Sequence, residues 1–117
     1  MKTIVWFSRH DMTDAQADGL IRAVGEGIVE KVDFTAPSAG AVLEAARDAF
    51  HGHDPDILCV VLPVDLLADL MAQKKPWQRV FVAKSARQRD AATGEFKFIH
   101  KHWEEITRCE YEAHVYE

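Results

Sequence analysis

A short apolar segment, followed at once by polar residues and a helix start, constrains this chain most. Residues 3–7 are mostly apolar and β-favouring, which predicts a buried strand. The strand ends in Ser8-Arg9-His10, and Thr13-x-x-Gln16 then has the capping-box pattern of a helix N-terminus. Ligands, and anions above all, bind where the carboxyl end of a strand meets a helix N-terminus. The sequence therefore predicts a ligand site at this loop.

Composition indicates an ordinary globular domain. The 117 residues are 48% hydrophobic and 28% charged, which is enough for one domain with its own core. We expect no membrane segment, because no apolar run approaches the roughly 20 residues that a span needs. The first strand follows the initial methionine almost directly, so we expect no signal peptide. Two cysteines in apolar or strand-like contexts suit a reducing compartment, and the predicted location is the cytoplasm.

Hydrophobic periodicity predicts a small Rossmann-like α/β fold with a mostly parallel sheet. We expect a single domain over residues 1–117, in which residues 1–89 form a β-α-β-α-β-α-β core and residues 90–117 a C-terminal antiparallel β-hairpin extension. The run at 57–62 is continuously apolar, which indicates a central strand covered on both faces. Predicted helices cover 13–24, 40–50 and 64–71; predicted strands cover 3–7, 28–34, 57–62, 79–83, 95–101 and 105–116.

A second polar cluster follows the predicted fourth strand. It contains Lys84, Ser85 and Arg87, and Pro63 follows the predicted third strand. Right-handed crossovers place the carboxyl ends of parallel strands on one edge of the sheet. We therefore expect these residues to meet Ser8-Arg9-His10 around one crevice.

Charge is distributed unevenly along the chain. The net charge is -5, yet residues 74–108 contain nine basic and four acidic side chains together with five aromatic ones. Cations interleaved with aromatics suit a nucleotide or a single-stranded nucleic acid, and we expect no binding to double-stranded DNA. The alternative is that the aromatics belong to the core and that the cations form a solvated face.

Two histidine-containing segments are candidates for chemistry. Arg9 can fork onto phosphate oxygens and His10 can move a proton near neutral pH; alternatively, the loop only caps the helix. His100 and His102 share one face if they lie on a regular strand, where they could bind a metal or lie on either side of a substrate; the alternative is an exposed histidine pair. No further ligands stand at suitable spacing, so we expect no metal and no cofactor. Motifs of P-loop ATPases, dinucleotide oxidoreductases, α/β-hydrolases and thioredoxins are absent from the sequence.

Two segments resemble the small single-domain CRISPR-associated proteins of type III systems. One is the strand that leads into Phe-Ser-x-His at residues 7–10 and the Met-Thr-x-x-Gln helix start at residues 12–16. The other is Gly-x-Phe-x-Phe-x-His with a following Trp-Glu, at residues 94–104. These proteins are Rossmann-like relatives of the cyclic-oligoadenylate-sensing domains, and several are ring nucleases.

The resemblance implies a homodimer that binds a cyclic oligoadenylate across its two-fold axis. It also implies metal-independent cleavage, in which a ribose 2'-hydroxyl attacks the adjacent phosphate. On this basis the catalytic residues would be Arg9 for charge, His10 for proton transfer and Ser8 for orientation. The predicted ligand-binding residues are Lys84, Ser85, Arg87, Pro63, Thr13, His100 and Trp103, of which the last two would stack on or close over adenine. Two alternatives stay open: a non-catalytic sensor of the same ligand, and an interaction module that uses the late hairpin.

Overall fold

The chain folds into a five-stranded sheet with helices on both faces. The computed structural model describes residues 1–33 and 38–108, with backbone alone at positions 97 and 98. Its elements are β1 (Lys2–Phe7), α1 (Asp14–Val24), β2 (Gly27–Val32), α2 (Ala39–Ala49), β3 (Ile57–Cys59), α3 (Val64–Gln73), β4 (Arg79–Arg89) and β5 (Phe96–Ile106).

The strand order is β2-β1-β3-β4-β5. The first four strands are parallel, and β4 and β5 form an antiparallel hairpin. This architecture confirms the predicted α/β class, with a mostly parallel sheet of small Rossmann-like type and a C-terminal hairpin. The connection from β1 leads outward to β2, and the next one returns past β1 to β3. The carboxyl ends of β1 and β3 therefore flank the point at which the strand order reverses, where open α/β sheets bind ligands.

Each face of the sheet has its own hydrophobic core. On one face, α2 and α3 cover the sheet, and Val5, Leu58 and Val80 pack there with buried residues of both helices. On the other face, α1 packs against Trp6 and Phe81. Alternate residues of β1 thus enter opposite cores, as the alternation of side chains along a strand requires.

The helix predictions are confirmed to within two residues at each end. Thr13 is the N-cap of α1 and forms the complete capping box with Gln16. Ser38 caps α2 by accepting a hydrogen bond from the backbone N–H of Ala41. The predicted turn at 35–37, the end of the second strand at 34 and the part of the predicted last strand from residue 109 onward lie outside the described residues.

Three strand predictions are wrong: the end of β3, the end of β4 and the extent of β5. β3 ends at Cys59 instead of residue 62, because its pairing with β1 and β4 ends there. β4 continues to Arg89 instead of ending at 83, so the supposed polar loop at 84–87 is strand. β5 is one strand from Phe96 to Ile106, where a break at 102–104 was expected. β4 and β5 pair from Val80 and Ile106 to Arg89 and Phe96, and their polar residues adopt strand conformation because of this pairing.

A tight connection and one irregularity shape the hairpin. The backbone N–H of Asp90 donates to the carbonyl of Glu95 at 2.7 Å, and Gly94 has φ +74°, which glycine adopts without strain. The register shifts between Lys84 and Ser85. We call residues 84–102 the hairpin arm, because β4 pairs there with β5 alone and not with β3.

Candidate functional site

The loop after β1 is held by the strand that precedes it. The indole N–H of Trp6 donates to the carbonyl of His10 at 2.8 Å, and the backbone N–H of His10 donates to Ser8 Oγ at 3.1 Å. Trp6 is buried, whereas the side chains of Arg9 and His10 are exposed. The backbone of the loop is therefore fixed while two of its polar side chains face solvent at the carboxyl edge.

Two ion pairs connect this loop to the end of β2. Arg9 Nε lies 3.7 Å from Asp33 Oδ1, and Lys31 Nζ lies 3.0 Å from Asp11 Oδ1. All four side chains are exposed, and such pairs contribute little to stability. A phosphate can therefore compete with Asp33 for the Arg9 guanidinium at small cost.

The predicted site residue Thr13 has its polar groups occupied by the helix cap. Thr13 Oγ1 accepts from the Gln16 N–H at 3.1 Å, and the Thr13 N–H donates to Gln16 Oε1 at 2.9 Å. Asp14 adds a negative charge to the first turn. The beginning of α1 is thus largely satisfied from within the chain, and its part in a ligand site is to set the direction in which the loop runs.

An apolar loop lies beside the polar one. Trp6 and Cys59 are register partners, so the segments that follow β1 and β3 leave the sheet side by side. In the segment after β3, Val61 is 72% exposed and Val64 is 59% exposed. The predicted site residue Pro63 stands between them as the N-cap of α3. The carboxyl edge therefore combines polar and apolar surface at the reversal of strand order.

Lys84, Ser85 and Arg87 belong to the hairpin arm, not to the end of a strand. Lys84 lies opposite His102 and places Nζ 4.0 Å from Glu104. Arg87 stacks its guanidinium 3.8 Å above the Phe96 ring. The prediction that this cluster forms a loop at the end of a strand is wrong, because β4 continues through it; that it lies near Ser8-Arg9-His10 stays a prediction. Its part in ligand binding stays a prediction.

Trp103 joins β5 to the first half of the chain. Its indole N–H donates to the Gln16 carbonyl at 2.8 Å, and its ring meets Trp6 edge-on at a centroid distance of 5.7 Å. A Cβ on Gly19 would lie 3.3 Å from Trp103 Cδ1 and 3.4 Å from His100 Nε2, so this glycine permits the close approach. Trp103 is half-buried and is therefore not part of an exposed apolar stripe for a partner protein.

Trp6 and Gly19 were not recognised as site residues from the sequence. A glycine inside a helical pattern can mark a close packing contact, and this was the available signal for Gly19. Nothing in the sequence alone connects Trp6 to Trp103, which stand 97 residues apart. Together they form a continuous contact from the His10 loop to the base of the hairpin arm.

The expectation that His100 and His102 share one face is wrong. Their partners on β4 are the consecutive residues Ser85 and Lys84, which point to opposite faces. His100 faces α1, and burial together with the neighbouring His102 lowers its pKa. His102 bonds Glu104 at 2.8 Å instead, and this bond is the main reason that the pKa of Glu104 is lowered. Among the described residues, no three His, Cys, Asp or Glu side chains are grouped so that they can hold a metal ion.

Comparison of the chain with family models, curated proteins and solved structures found no match. Within residues 1–33 and 38–108, no helix is long and apolar enough to cross a membrane.

Proposed function

We propose that this protein binds a cyclic oligoadenylate at the carboxyl edge of its sheet and cleaves it. One observation carries the proposal: an exposed polar loop with Arg9 and His10 and an exposed apolar loop lie side by side where the strand order reverses. A phosphodiester ring of adenosines presents both charged phosphates and apolar base faces. Arg9 and His10 would bind the phosphates, and Val61 and Val64 would contact the bases.

The cleavage would use the ribose as its own nucleophile. The 2'-oxygen forms a bond to the adjacent phosphorus, and the bond from phosphorus to the 5'-oxygen of the next nucleotide breaks. A base accepts the 2'-hydroxyl proton, and the 5'-oxygen gains a proton as it leaves. The products are a 2',3'-cyclic phosphate and a free 5'-hydroxyl, so atoms and charge balance.

The roles of the loop residues follow from their positions. Arg9 would pair with the charge that develops on the pentacoordinate phosphorus, an interaction that is strongest in the transition state. His10 would transfer a proton near neutral pH. The Oγ of Ser8 accepts the backbone N–H of His10. Ser8 would therefore orient the loop without touching phosphate.

A homodimer fits the symmetry of the proposed ligand. Rings of four or six identical nucleotides have a two-fold axis, and two copies of the chain related by the same axis would present two equal carboxyl edges. The exposed apolar residues Val61 and Val64 would then meet the ring from both sides.

The test is incubation of the purified protein, in EDTA, with labelled cyclic tetra- and hexa-adenylate, followed by separation of products and a filter-binding assay. Linear products that end in a cyclic phosphate support cleavage. Binding without cleavage supports the sensor alternative. If saturating protein neither binds nor cleaves either ring, the proposal is wrong.

Matched variants separate the roles. Arg9→Ala should weaken binding in a salt-dependent way, while Lys2→Ala, a cation at the opposite end of β1, should not. His10→Ala should reduce turnover far more than affinity, with His53→Ala, an exposed loop histidine elsewhere, as its control. Equal losses of turnover and affinity would assign His10 to binding alone.

A further inference from the structure

A groove lies between α1 and β5, away from the carboxyl-edge loop. It encloses about 360 Å³, which is within the range of small-molecule sites. Its lining comprises Gly19, Arg22, Ala23, His100, Lys101, His102 and Trp103. Arg22 is eight residues past the start of α1, and the rise of a helix places it about 12 Å along the axis from the carboxyl edge. The lining shares no residue with the loop that contains Arg9 and His10, so the groove is distinct from the site proposed above.

Among the residues that the structure describes, the lining of the groove includes cations and no carboxylate. Arg22 and Lys101 are exposed, and neither forms an ion pair with any residue in the described parts of the chain. Arg47, in the last turn of α2, and Arg79, at the start of β4, differ from Arg22 in this respect: Arg47 pairs with Asp54 at 3.0 Å and Arg79 with Glu105 at 2.8 Å. Arg22 and Lys101 lie on facing elements and carry positive charge that an anion can bind, although the Lys101 charge also acts on Glu104 and lowers the pKa of that carboxyl.

His100 adds a hydrogen-bond donor on the same side. Its Nδ1 is buried without a partner among the described residues. A buried lone pair without a partner costs less than a buried N–H without one, so the neutral ring carries its proton on Nε2. Nε2 lies beside Gly19, at the wall of the groove. The imidazole thus directs an N–H, not a lone pair, toward the groove.

We infer that this groove binds a phosphate monoester of about nucleotide size. Arg22 and Lys101 would pair with the dianionic phosphate, and His100 would donate from Nε2 to one of its oxygens. A guanidinium fork, an ammonium and an imidazole N–H together match three terminal phosphate oxygens better than the two of a carboxylate. The half-buried indole of Trp103 would contact the organic part of the ligand, and Gly19 keeps the entrance free of a side chain.

The experiment is an NMR titration of ¹⁵N-labelled protein with AMP, inorganic phosphate and adenosine. The reporters are the indole N–H of Trp103 and the backbone amide of Gly19. We expect saturable shifts of both signals with AMP, weaker ones with inorganic phosphate and none with adenosine. Equal shifts with adenosine and AMP would contradict a phosphate site, and no shift at 10-fold molar excess or above would contradict the groove as a site.

Three variants locate the binding. Arg22→Ala should weaken AMP binding by about tenfold, the usual scale for one charge-assisted contact. Arg47→Ala removes an arginine from the equivalent last turn of α2 and should leave the affinity unchanged. Arg9→Ala should also leave AMP binding unchanged while it weakens binding of the cyclic adenylate. If Arg9→Ala abolishes AMP binding and Arg22→Ala does not, the phosphate binds at the carboxyl edge and the inference is wrong.

Discussion

Replacing Trp6 by phenylalanine should both destabilise the fold and make the His10 loop more mobile. The substitution removes the indole N–H that donates to the His10 carbonyl at 2.8 Å and shortens the ring that meets Trp103 edge-on. Trp6 is buried in the core beneath α1, so the smaller ring also leaves space that the core fills only in part.

The expected loss is about 2 kcal/mol in the free energy of unfolding. The hydrogen bond contributes about 1 kcal/mol, and His10 is exposed, so water can replace the lost donor without an orphaned carbonyl. Lost packing adds about 1 kcal/mol to this loss. Any edge-to-face contact that phenylalanine keeps with Trp103 reduces this second contribution.

Urea unfolding followed by far-ultraviolet circular dichroism measures this loss without depending on tryptophan emission. Trp77→Phe is the matched control, since Trp77 is 53% exposed and its substitution should cost less than about 0.5 kcal/mol. Equal losses in the two variants would refute the reasoning. Under the proposed function, Trp6→Phe should also weaken ligand binding, although Trp6 itself would not touch the ligand.

Three further predictions concern other parts of the fold. Gly27→Ala should cost about 1–3 kcal/mol in chemical denaturation, because a Cβ there would lie 2.7 Å from the Lys2 carbonyl. The hydrogen bond from Arg79 lowers the pKa of Glu105, so the stability that this pair contributes is present above the ordinary glutamate pKa and is lost as pH falls through the folded-state pKa. The difference in free energy of unfolding between the protein and Glu105→Gln should therefore become smaller as the pH is lowered. A difference that grows in acid would contradict this. Burial raises the pKa of Cys59 to about 12. In a variant whose other cysteine is replaced by serine, Ellman's reagent should therefore react with Cys59 only after the protein unfolds. Rapid reaction with the native protein would contradict the burial of Cys59.

The parallel part of the fold was predictable because each element there depends on one strong local pattern. The capping box at Thr13, the helical stripes and the apolar run from Ile57 all correspond to observed elements. The end of β3 was not predictable in the same way. Val60 is buried and Val61 is 72% exposed, yet both are valines, so hydrophobicity alone does not reveal where pairing stops.

The hairpin was mispredicted because its strand pattern depends on a partner rather than on burial. Five of the six residues at 84–89 are polar and exposed, and all six are strand because each has a partner in β5. A signal was present: the alternating residues after the Gly94 turn require a strand of similar length before it.

The candidate site was predictable where it follows from one strand end and not where it depends on tertiary contacts. Arg9 and His10 lie at the carboxyl edge as their position after β1 predicted. The position of His100 beside Gly19 depends on the register shift in the hairpin, which changes the face of every residue beyond it. No local pattern encodes that shift.

The unequal lengths of β3 and β4 give one strand two different stabilities. β4 lies between two strands only near Val80 and Phe81, and from Lys84 onward it has a neighbour on one side. Apart from the contact of His100 with α1, the arm is a two-stranded ribbon, which is marginally stable on its own. The amides of its outer part should therefore exchange with deuterium while those of Val80 and Phe81 stay protected until the whole domain unfolds. Exchange along this single strand would therefore record how far the arm opens and closes while the sheet beneath it remains intact.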